Sequence, residues 1–174
     1  VANGMWVGGK RLRSWAYLRG GMGDGGGCHP RDNIALSWLA RKLDISNDFF
    51  DQIMQQREKQ TDWLANLIIE NQLEDKKTYI LGKSFKPETN ITTGSPSILL
   101  NNILKEKGVN AISYDPFVDT KKPVFDEGVY FIGTQHEIFE QFEFPNGSIV
   151  IDPFRMINKK EGLKVIRIGD SKED

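Results

Sequence analysis

Short apolar runs alternate with helical segments over residues 77–174. Five runs rich in β-branched and aromatic residues predict strands: KTYILG, AISYD, VYFIGT, SIVID and KVIRIG. After the first, SPSILLNNILKEKG has helical spacing, opens at Ser95 and Pro96 and closes at Gly108, and a short helix is expected around 135–141. Strands that alternate with helices predict a parallel sheet with right-handed crossovers, in which ligands bind beyond the carboxyl ends of the strands.

Two helices are predicted between residues 30 and 74. Pro30 suits the first helical position, and the apolar residues that follow cover much of the helix circumference, which predicts burial on several sides. Those apolar residues are Ile34, Ala35, Leu36, Trp38 and Leu39. Ser46 or Asn47 can cap a second helix over 47–72, about 39 Å long. Such a length is typical of a link between domains or a contact with a second copy, and ordinary bundle packing is the alternative.

Composition separates a third region, residues 1–31, which is rich in glycine, arginine and tryptophan and has little periodicity. This region predicts a loop. The fold class is therefore α/β, with a helical segment over 1–75 followed by a parallel-sheet domain over 76–174. Because the chain begins with Val, in a segment that starts no clear element, we expect it to be a piece of a longer protein.

The charge balance and the cysteine count narrow the classes of partner. The 23 basic and 24 acidic side chains give a net charge of -1, which provides no general attraction to nucleic acid or a membrane surface. No apolar run approaches the roughly 18–20 residues of a membrane span, and no signal-peptide pattern opens the sequence. A single cysteine rules out an internal disulfide framework and is typical of the cytoplasm. With only two distant histidines beside it, structural zinc is not expected.

The segment GGMGDGGGCHPRDN places six glycines around the only cysteine, just before the first predicted helix. Cysteine reacts as its thiolate, which a helix N-terminus favours at Cys28, and Arg31 adds a nearby cation. Asp32 lies in the first turn, where it could hold a water or act as an acid or base. His29 is interpreted as a loop or capping residue. The alternatives are a buried structural cysteine, an aspartate that only stabilises the helix dipole, and a merely flexible glycine run.

A second candidate loop, GKSFKPETNITTGSP over 82–96, leaves the first strand and ends at a helix N-terminus. Free backbone N–H groups there, together with Lys83 and Lys86, suit a phosphate or diphosphate. The alternative is a solvated loop that happens to carry two lysines. Two further segments, 115–117 and 152–155, are predicted at the same edge of the sheet.

Four motifs resemble the UDP-glucose/GDP-mannose dehydrogenases, the NAD-dependent nucleotide-sugar 6-dehydrogenases. Their catalytic loop, G-x-G-x-G-G-x-C-x-x-K-D, is matched at Gly21, Gly23, Gly25, Gly26, Cys28, Arg31 and Asp32. Their G-x-x-F-K-x-x-T-x-D-x-R-x-S-P motif is matched at Gly82, Phe85, Lys86, Thr89, Ser95 and Pro96. Two strand ends, at Asp115 with Pro116 and at Asp152 with Arg155, match the remaining motifs. All four occur in the family order, and the resemblance covers nearly the whole chain from about residue 17.

The family fold has an N-terminal NAD domain, a long-helix middle domain that dimerises, and a C-terminal Rossmann-like domain that binds the nucleotide. The resemblance therefore implies that residues 1–75 are the latter half of the middle domain and that 76–174 are the C-terminal UDP-sugar domain. It further implies a homodimer through helix 47–72, a cytoplasmic location, and an NAD domain missing from this chain, since no dinucleotide fingerprint follows a predicted strand.

The resemblance also implies a mechanism. The family oxidises the sugar C6 alcohol to a carboxylate in two hydride transfers to NAD, with Cys28 matching the nucleophile that forms a thiohemiacetal and then a thioester. Asp32 matches the aspartate that helps to activate water, and Arg31 replaces the usual lysine, so it keeps a cation that cannot give up its proton. The implied substrate-binding residues are Gly23, Gly25, Gly26, Arg31, Phe85, Lys86 and Arg155.

Besides Arg31, two departures from the family pattern matter. Thr93 stands where the family has an arginine linked to NAD binding, and Asp24 stands where an apolar or aromatic residue is common. The first departure places the cofactor contacts of this chain in question, and the second predicts a more polar sugar pocket. Two other functions therefore stay open: a nucleotide-sugar binding module without catalysis, and a dimerisation unit.

Overall fold

A computed structural model describes residues 21–23 and 25–169. Its elements in chain order are α1 (His29–Lys42), α2 (Phe49–Glu70), β1 (Lys77–Leu81), α3 (Pro96–Glu106), β2 (Ile112–Tyr114), β3 (Gly128–Ile132), a 3-10 helix (Glu137–Phe139), β4 (Ile149–Asp152) and β5 (Lys164–Arg167). All five predicted strands are confirmed. The predicted short helix around 135–141 is the 3-10 turn. Of the loop predicted over 1–31, residues 1–20 lie outside the described residues, and its end is wrong because α1 already begins at His29.

The five strands form one sheet in the order β2-β1-β3-β4-β5. Every pair is parallel, and Tyr79 of β1 lies opposite Tyr130 of β3. The predicted α/β class and parallel sheet are therefore confirmed. The strand order reverses between β1 and β3, so the loops after these two strands meet at the position where doubly wound sheets usually bind their ligands.

Each face of the sheet has its own core. On one face, Leu64, Ala65 and Ile68 of α2 pack with Leu100 and Leu104 of α3 against the strands. On the other face, buried strand side chains meet aromatic residues from loops instead of a long helix. Those aromatic residues include Phe125, Phe142, Phe144 and Phe154. Period-two alternation is weak in these strands because both of their faces are covered.

The ends of the helices follow from local hydrogen bonds. In α3 the Ser95 side chain accepts a hydrogen bond from Ser97 N–H, and Gly108 has the positive φ of 86° that a residue just past a helix adopts, so both predicted boundaries are confirmed. The predicted cap of α2 is wrong by one or two residues. Asp48 is the N-cap because its carboxylate accepts Asp51 N–H at 2.9 Å, and α2 is 22 residues long, or about 33 Å.

Burial of α1 on several sides is wrong for the described residues. Ile34 and Trp38 are each 61% exposed, while the buried positions are the small or polar Asn33, Ser37 and Ala40. The reason is that Ser37 donates a 2.6 Å hydrogen bond to the Asp48 carboxylate, which turns the polar side of α1 toward the start of α2. Of the helices in the described part of the chain, none combines the length and the apolar character needed to cross a bilayer.

Candidate functional site

The glycine segment, residues 21–23 and 25–27, contacts the loop that follows β1 through Gly25, Gly26 and Gly27. Gly26 N–H donates to the Gly94 carbonyl at 3.1 Å, and Gly94 has a φ of +70°. A methyl group at Gly94 would overlap the Gly26 carbonyl, and one at Gly25 would come within 2.7 Å of Pro96 Cδ. The two backbones therefore meet at a distance that only glycine allows.

Aromatic rings from two motifs close around the same segment. The Phe85 ring lies where a side chain at Gly26 would be, 3.0 Å from the point that a methyl group there would occupy, and the Phe154 ring fills the equivalent space beside Gly21 at 2.8 Å. Gly23 faces Gln60 of α2 at 3.3 Å. Two of these motifs follow β1 and β4, whose carboxyl ends lie at the same edge of the parallel sheet, and the glycine segment packs against both.

Replacing Gly94 by alanine should disrupt the contact between the backbones of Gly94 and Gly26. Gly94→Ala combines an unfavourable positive φ with a clash against the Gly26 backbone, whereas Gly108→Ala has a similar φ of +86° with nothing within 4 Å. Overpacking costs about 1–3 kcal/mol, so we expect Gly94→Ala to lower the free energy of unfolding by about 2 kcal/mol more than Gly108→Ala. Urea denaturation of both variants measures the difference, and equal losses would contradict the proposed contact.

Cys28, Arg31 and Asp32 form one exposed cluster at the start of α1. Cys28 is exposed and is the N-cap residue, so the alternative of a buried structural cysteine is wrong. Arg31 Nε donates to Asp32 Oδ1 at 3.0 Å. Hydrogen bonding and charge from Asp32, with a smaller effect of Cys28, raise the pKa of the Arg31 guanidinium. The interpretation of His29 as a loop or capping residue is also wrong, because α1 begins at His29.

The two candidate lysines of the loop after β1 have different surroundings. Lys83 Nζ is 2.7 Å from Asp119 Oδ1, and both side chains are only 25% exposed, so this ammonium is engaged in an ion pair. Lys86 is exposed, and its ammonium lies 5.4 Å from the centroid of the Phe85 ring. Lys86 is therefore the lysine that extends from this loop together with Phe85, beside the glycine segment.

Asp115, at the end of β2, holds the start of this loop. Its Oδ2 atom accepts Lys83 N–H at 2.7 Å, Ser84 N–H at 2.9 Å and the Ser84 hydroxyl at 2.7 Å. Burial by itself would raise the pKa of Asp115, but hydrogen bonds from His136, Lys83 and Ser84 outweigh it and hold that pKa well below its usual range. Asp115 is thus an internal anchor with no exposed surface.

Sequence reasoning missed His136, which is fully buried after β3. Its Nε2 atom lies 3.1 Å from Asp115 Oδ2, and its Nδ1 atom accepts Glu88 N–H at 3.0 Å. The neighbouring Thr134 hydroxyl donates to the Ser84 carbonyl at 2.7 Å. The only signal in the sequence was position, since GTQH follows a predicted strand at the edge where the other motifs lie.

The last motif divides into an internal and an exposed part. Asp152 is buried and accepts Phe154 N–H at 3.0 Å and Ile157 N–H at 2.7 Å, which fixes the turn. Arg155 is exposed with a φ of +60°, and its Nη2 donates to the Ile168 carbonyl at 3.4 Å. The structure therefore brings Phe154 to the glycine segment and places the Arg155 guanidinium beside the end of β5. Asp24 lies outside the described residues.

No protein-family model matches the chain. The UDP-glucose 6-dehydrogenase of Rattus norvegicus is 32% identical over 115 residues, which cover 63% of this chain and 23% of the rat protein. The UDP-glucose 6-dehydrogenase AglM of Haloferax volcanii is 27% identical over 168 residues, which cover 85% of this chain and 39% of that protein. The chain thus spans less than half the length of these relatives.

Solved structures show the same fold. A UDP-glucose dehydrogenase from the archaeon Pyrobaculum islandicum aligns with a TM-score of 0.78 at 21% identity, covering 95% of this chain and 42% of that one. A GDP-mannose dehydrogenase from Pseudomonas aeruginosa aligns with a TM-score of 0.72 at 23% identity, covering 87% and 41%. The helical segment and the sheet together therefore have a counterpart in these larger proteins.

Proposed function

Because this chain is a homologue of the nucleotide-sugar dehydrogenases, we propose that it forms the cysteine-bearing, UDP-sugar-binding part of a UDP-sugar 6-dehydrogenase. One observation carries the proposal: the glycine segment that leads into Cys28 is packed between the Phe85 ring and the Gly94 carbonyl. A nucleophile and a cation-bearing loop therefore share one exposed surface. In this proposal residues 1–75 and 76–174 are the middle and C-terminal domain segments of that enzyme.

The glycine segment suits a sugar nucleotide. Gly23 and Gly25 are half-buried and have no side chain, so a ligand can approach their backbone closely, while Gly26 gives its N–H to the Gly94 carbonyl and lets the segment pack against Phe85. Lys86 supplies a mobile positive charge for the diphosphate, and Phe85 borders the nucleotide. Arg155 is assigned to the same site through its motif, and the residue is exposed to solvent.

Cys28 is the proposed nucleophile. Its thiolate attacks the carbonyl carbon of the C6 aldehyde, and the carbonyl electron pair becomes an alkoxide that takes a proton, which gives a thiohemiacetal. Arg31 stabilises the anionic forms, and Asp32 orients the water that later hydrolyses the thioester. The complete reaction would take the C6 alcohol to a carboxylate in two oxidations, for which NAD, bound elsewhere in the enzyme, would supply the hydride acceptor.

The residues of this chain do not themselves fit a dinucleotide. After β1 the backbone enters a long connection over 82–95 instead of a tight glycine turn into a helix. Thr93, in place of the family arginine, is uncharged and packs against Gly27, with its Cγ2 atom 3.9 Å from the point that a methyl group at Gly27 would occupy. We therefore assign no step of hydride transfer to this chain, and we propose that NAD is held by residues elsewhere in the enzyme.

Titration of the chain with UDP by calorimetry tests the proposal. We expect weak binding, with a Kd of about 1 mM, because in this proposal the chain contributes only one side of the binding site. Lys86→Ala should weaken it about tenfold through loss of a charge-assisted contact to phosphate. Lys122→Ala is the matched control, since Lys122 lies over Phe125 and Phe142 on another surface. No heat at millimolar UDP would refute the proposal.

The homodimer through helix 47–72 and the cytoplasmic location stay predictions. Exposed large apolar side chains on α1 and α2 support a protein contact through these two helices, because exposed apolar surface is typical of such contacts. They are Ile34, Leu36, Trp38, Leu39, Phe49 and Trp63. The proposed dimer surface accordingly includes α1 as well as α2.

A further inference from the structure

The segment that carries Phe85 and Lys86, called here the Phe85 loop (residues 83–89), is fastened at both ends. Its start is held by the Asp115 carboxylate, which accepts Lys83 N–H and Ser84 N–H. Its end is held by His136, whose Nδ1 atom accepts Glu88 N–H. Since His136 Nε2 lies 3.1 Å from Asp115 Oδ2, both fastenings belong to one buried pair.

The end of the loop needs this support more than its start. Glu88 has a φ of +56°, a conformation that non-glycine residues rarely adopt and that persists only where neighbouring contacts determine it. Glu88 Oε1 also accepts Glu137 N–H at 3.0 Å, directly after His136 in the chain. The strained residue is therefore fixed by the short segment that follows β3, and His136 provides the contact to its backbone.

The contacts define the protonation of the imidazole ring. Nδ1 accepts a backbone N–H, so it carries no proton, and the ring hydrogen is on Nε2, where it is donated to Asp115. The ring is fully buried, stacked on Phe117 at 4.7 Å and in edge contact with Phe139 at 5.5 Å. The other charged group that faces it is Glu88, whose Oε1 atom is 3.6 Å from Nδ1. Ring packing and hydrogen bonding together allow one orientation.

We infer that His136 is a positioning residue for the proposed UDP site, acting through Glu88 to hold Phe85 and Lys86 beside the glycine segment. The inference rests on the proposed function for the ligand, but its structural content stands on the contacts alone. Without the Nδ1 acceptor, the loop would keep its hydrogen bonds at Ser84, Phe85 and Thr89 and lose the one that fixes the Glu88 backbone N–H. Binding of UDP would then bear the cost of ordering Lys86.

Two substitutions of His136 test its two hydrogen bonds, to Glu88 and to Asp115, separately. His136→Asn places an amide near the Nδ1 position, where its oxygen can accept Glu88 N–H, whereas His136→Gln places its amide near Nε2 and can bond only Asp115. We expect His136→Gln to weaken UDP binding about tenfold and to speed hydrogen exchange at Glu88 N–H by a similar factor, with Lys83 and Ser84 N–H still protected. His136→Asn should retain UDP affinity and protection of Glu88.

A merely structural histidine would give a different result, since both variants would then lose UDP affinity in proportion to their loss of stability. Equal behaviour of the two variants, or an unchanged Glu88 exchange rate in His136→Gln, would overturn the inference. If the wild-type chain gives no heat with UDP while the exchange pattern is as expected, the proposed function fails and the anchoring of the loop stands.

A measurement on the unmodified chain removes any dependence on variant folding. Nitrogen NMR of His136 should show the tautomer with hydrogen on Nε2, and a scalar coupling through the hydrogen bond should join Glu88 N–H to Nδ1. Replacing the only other histidine, by His29→Gln, assigns the signals. The opposite tautomer, or absence of that coupling at low temperature, would overturn the inference without reference to any ligand.

Discussion

Asp115→Asn should destabilise the chain by about 4 kcal/mol, the sum of two or three lost charge-assisted hydrogen bonds. Asp115 receives donors from Lys83, Ser84, Phe117 and His136 and has no exposed surface. An asparagine side chain has one acceptor oxygen and would direct its NH2 group at some of these donors. Urea denaturation followed by circular dichroism gives the difference in the free energy of unfolding.

Asp126→Asn is the matched control. Its carboxylate pairs with Lys77 at 2.8 Å, but both side chains are more than half exposed. Exposed ion pairs contribute about 0–1 kcal/mol, so this variant should unfold close to the wild type. A loss in Asp115→Asn no larger than that in Asp126→Asn would show that the buried carboxylate does not anchor the sheet edge.

The difference in stability between the wild type and Asp115→Asn should become smaller at acidic pH. The pKa of folded Asp115 lies well below the value of about 3.9 for an unfolded aspartate. The carboxylate therefore stabilises the fold at neutral pH, and this stabilisation is lost as the pH falls below about 5 and the unfolded state takes up the proton. Unfolding free energies of the wild type and Asp115→Asn should accordingly converge on acidification, and a constant difference would contradict the assignment.

A UDP-sugar with an aldehyde at C6 should form a covalent adduct with the wild-type chain and none with Cys28→Ser. The step adds sulfur to the carbonyl carbon and a proton to its oxygen, so it needs no hydride acceptor and can be observed in this chain alone. Serine at this position would be a far weaker nucleophile because its hydroxyl stays protonated. A carbon-13 label at C6 would show conversion of the aldehyde to a thiohemiacetal by NMR.

Arg31→Lys is the control for this experiment, because lysine is the usual residue of the resembling catalytic-loop motif and keeps a cation near Cys28. It should form the adduct, while Cys28→Ser should bind UDP normally without forming it. An equal adduct in Cys28→Ser would exclude the assigned nucleophile. Normal UDP binding by the wild type with no adduct would favour the alternative of a binding module without catalysis.

The sheet could be predicted from sequence because local patterns determine its parts. Buried strands such as KTYIL are short apolar runs, and α3 is bounded by a proline and a glycine. The burial of α1 could not be predicted, since the pattern of Ile34 and Trp38 reports apolar character and not which surface covers it. Similarly, the predicted caps of α2 lay close to Asp48, but a side-chain contact with Ser37 decided among neighbouring polar residues.

The sequence motifs of the candidate site could be predicted, but the buried contacts that hold its loops could not. The resemblance of the motifs singled out Cys28, Phe85 and Lys86, whose roles stay predictions, and the structure places the glycine segment before Cys28 against the loop that carries Phe85. Lys83 and Lys86 look alike in sequence, yet Asp119, 36 residues from Lys83, distinguishes them. His136 gave no pattern because its partners, Glu88 and Asp115, lie 48 and 21 residues away. Contacts between residues so far apart in the chain can be predicted only when the strand order is known.

Helix α2 has a consequence for how the molecule can be divided. Leu64, Ala65 and Ile68 are almost completely buried against the sheet. They nevertheless precede the boundary predicted at residues 75–76 between the helical segment and the sheet domain. A protein cut there would expose the face of β1, β3 and β4 to water, with a cost of about 25 cal/mol for each Å² of apolar surface. The helical segment and the sheet should thus unfold in a single cooperative transition, and a shortened version of this chain that keeps a folded sheet should need the second half of α2.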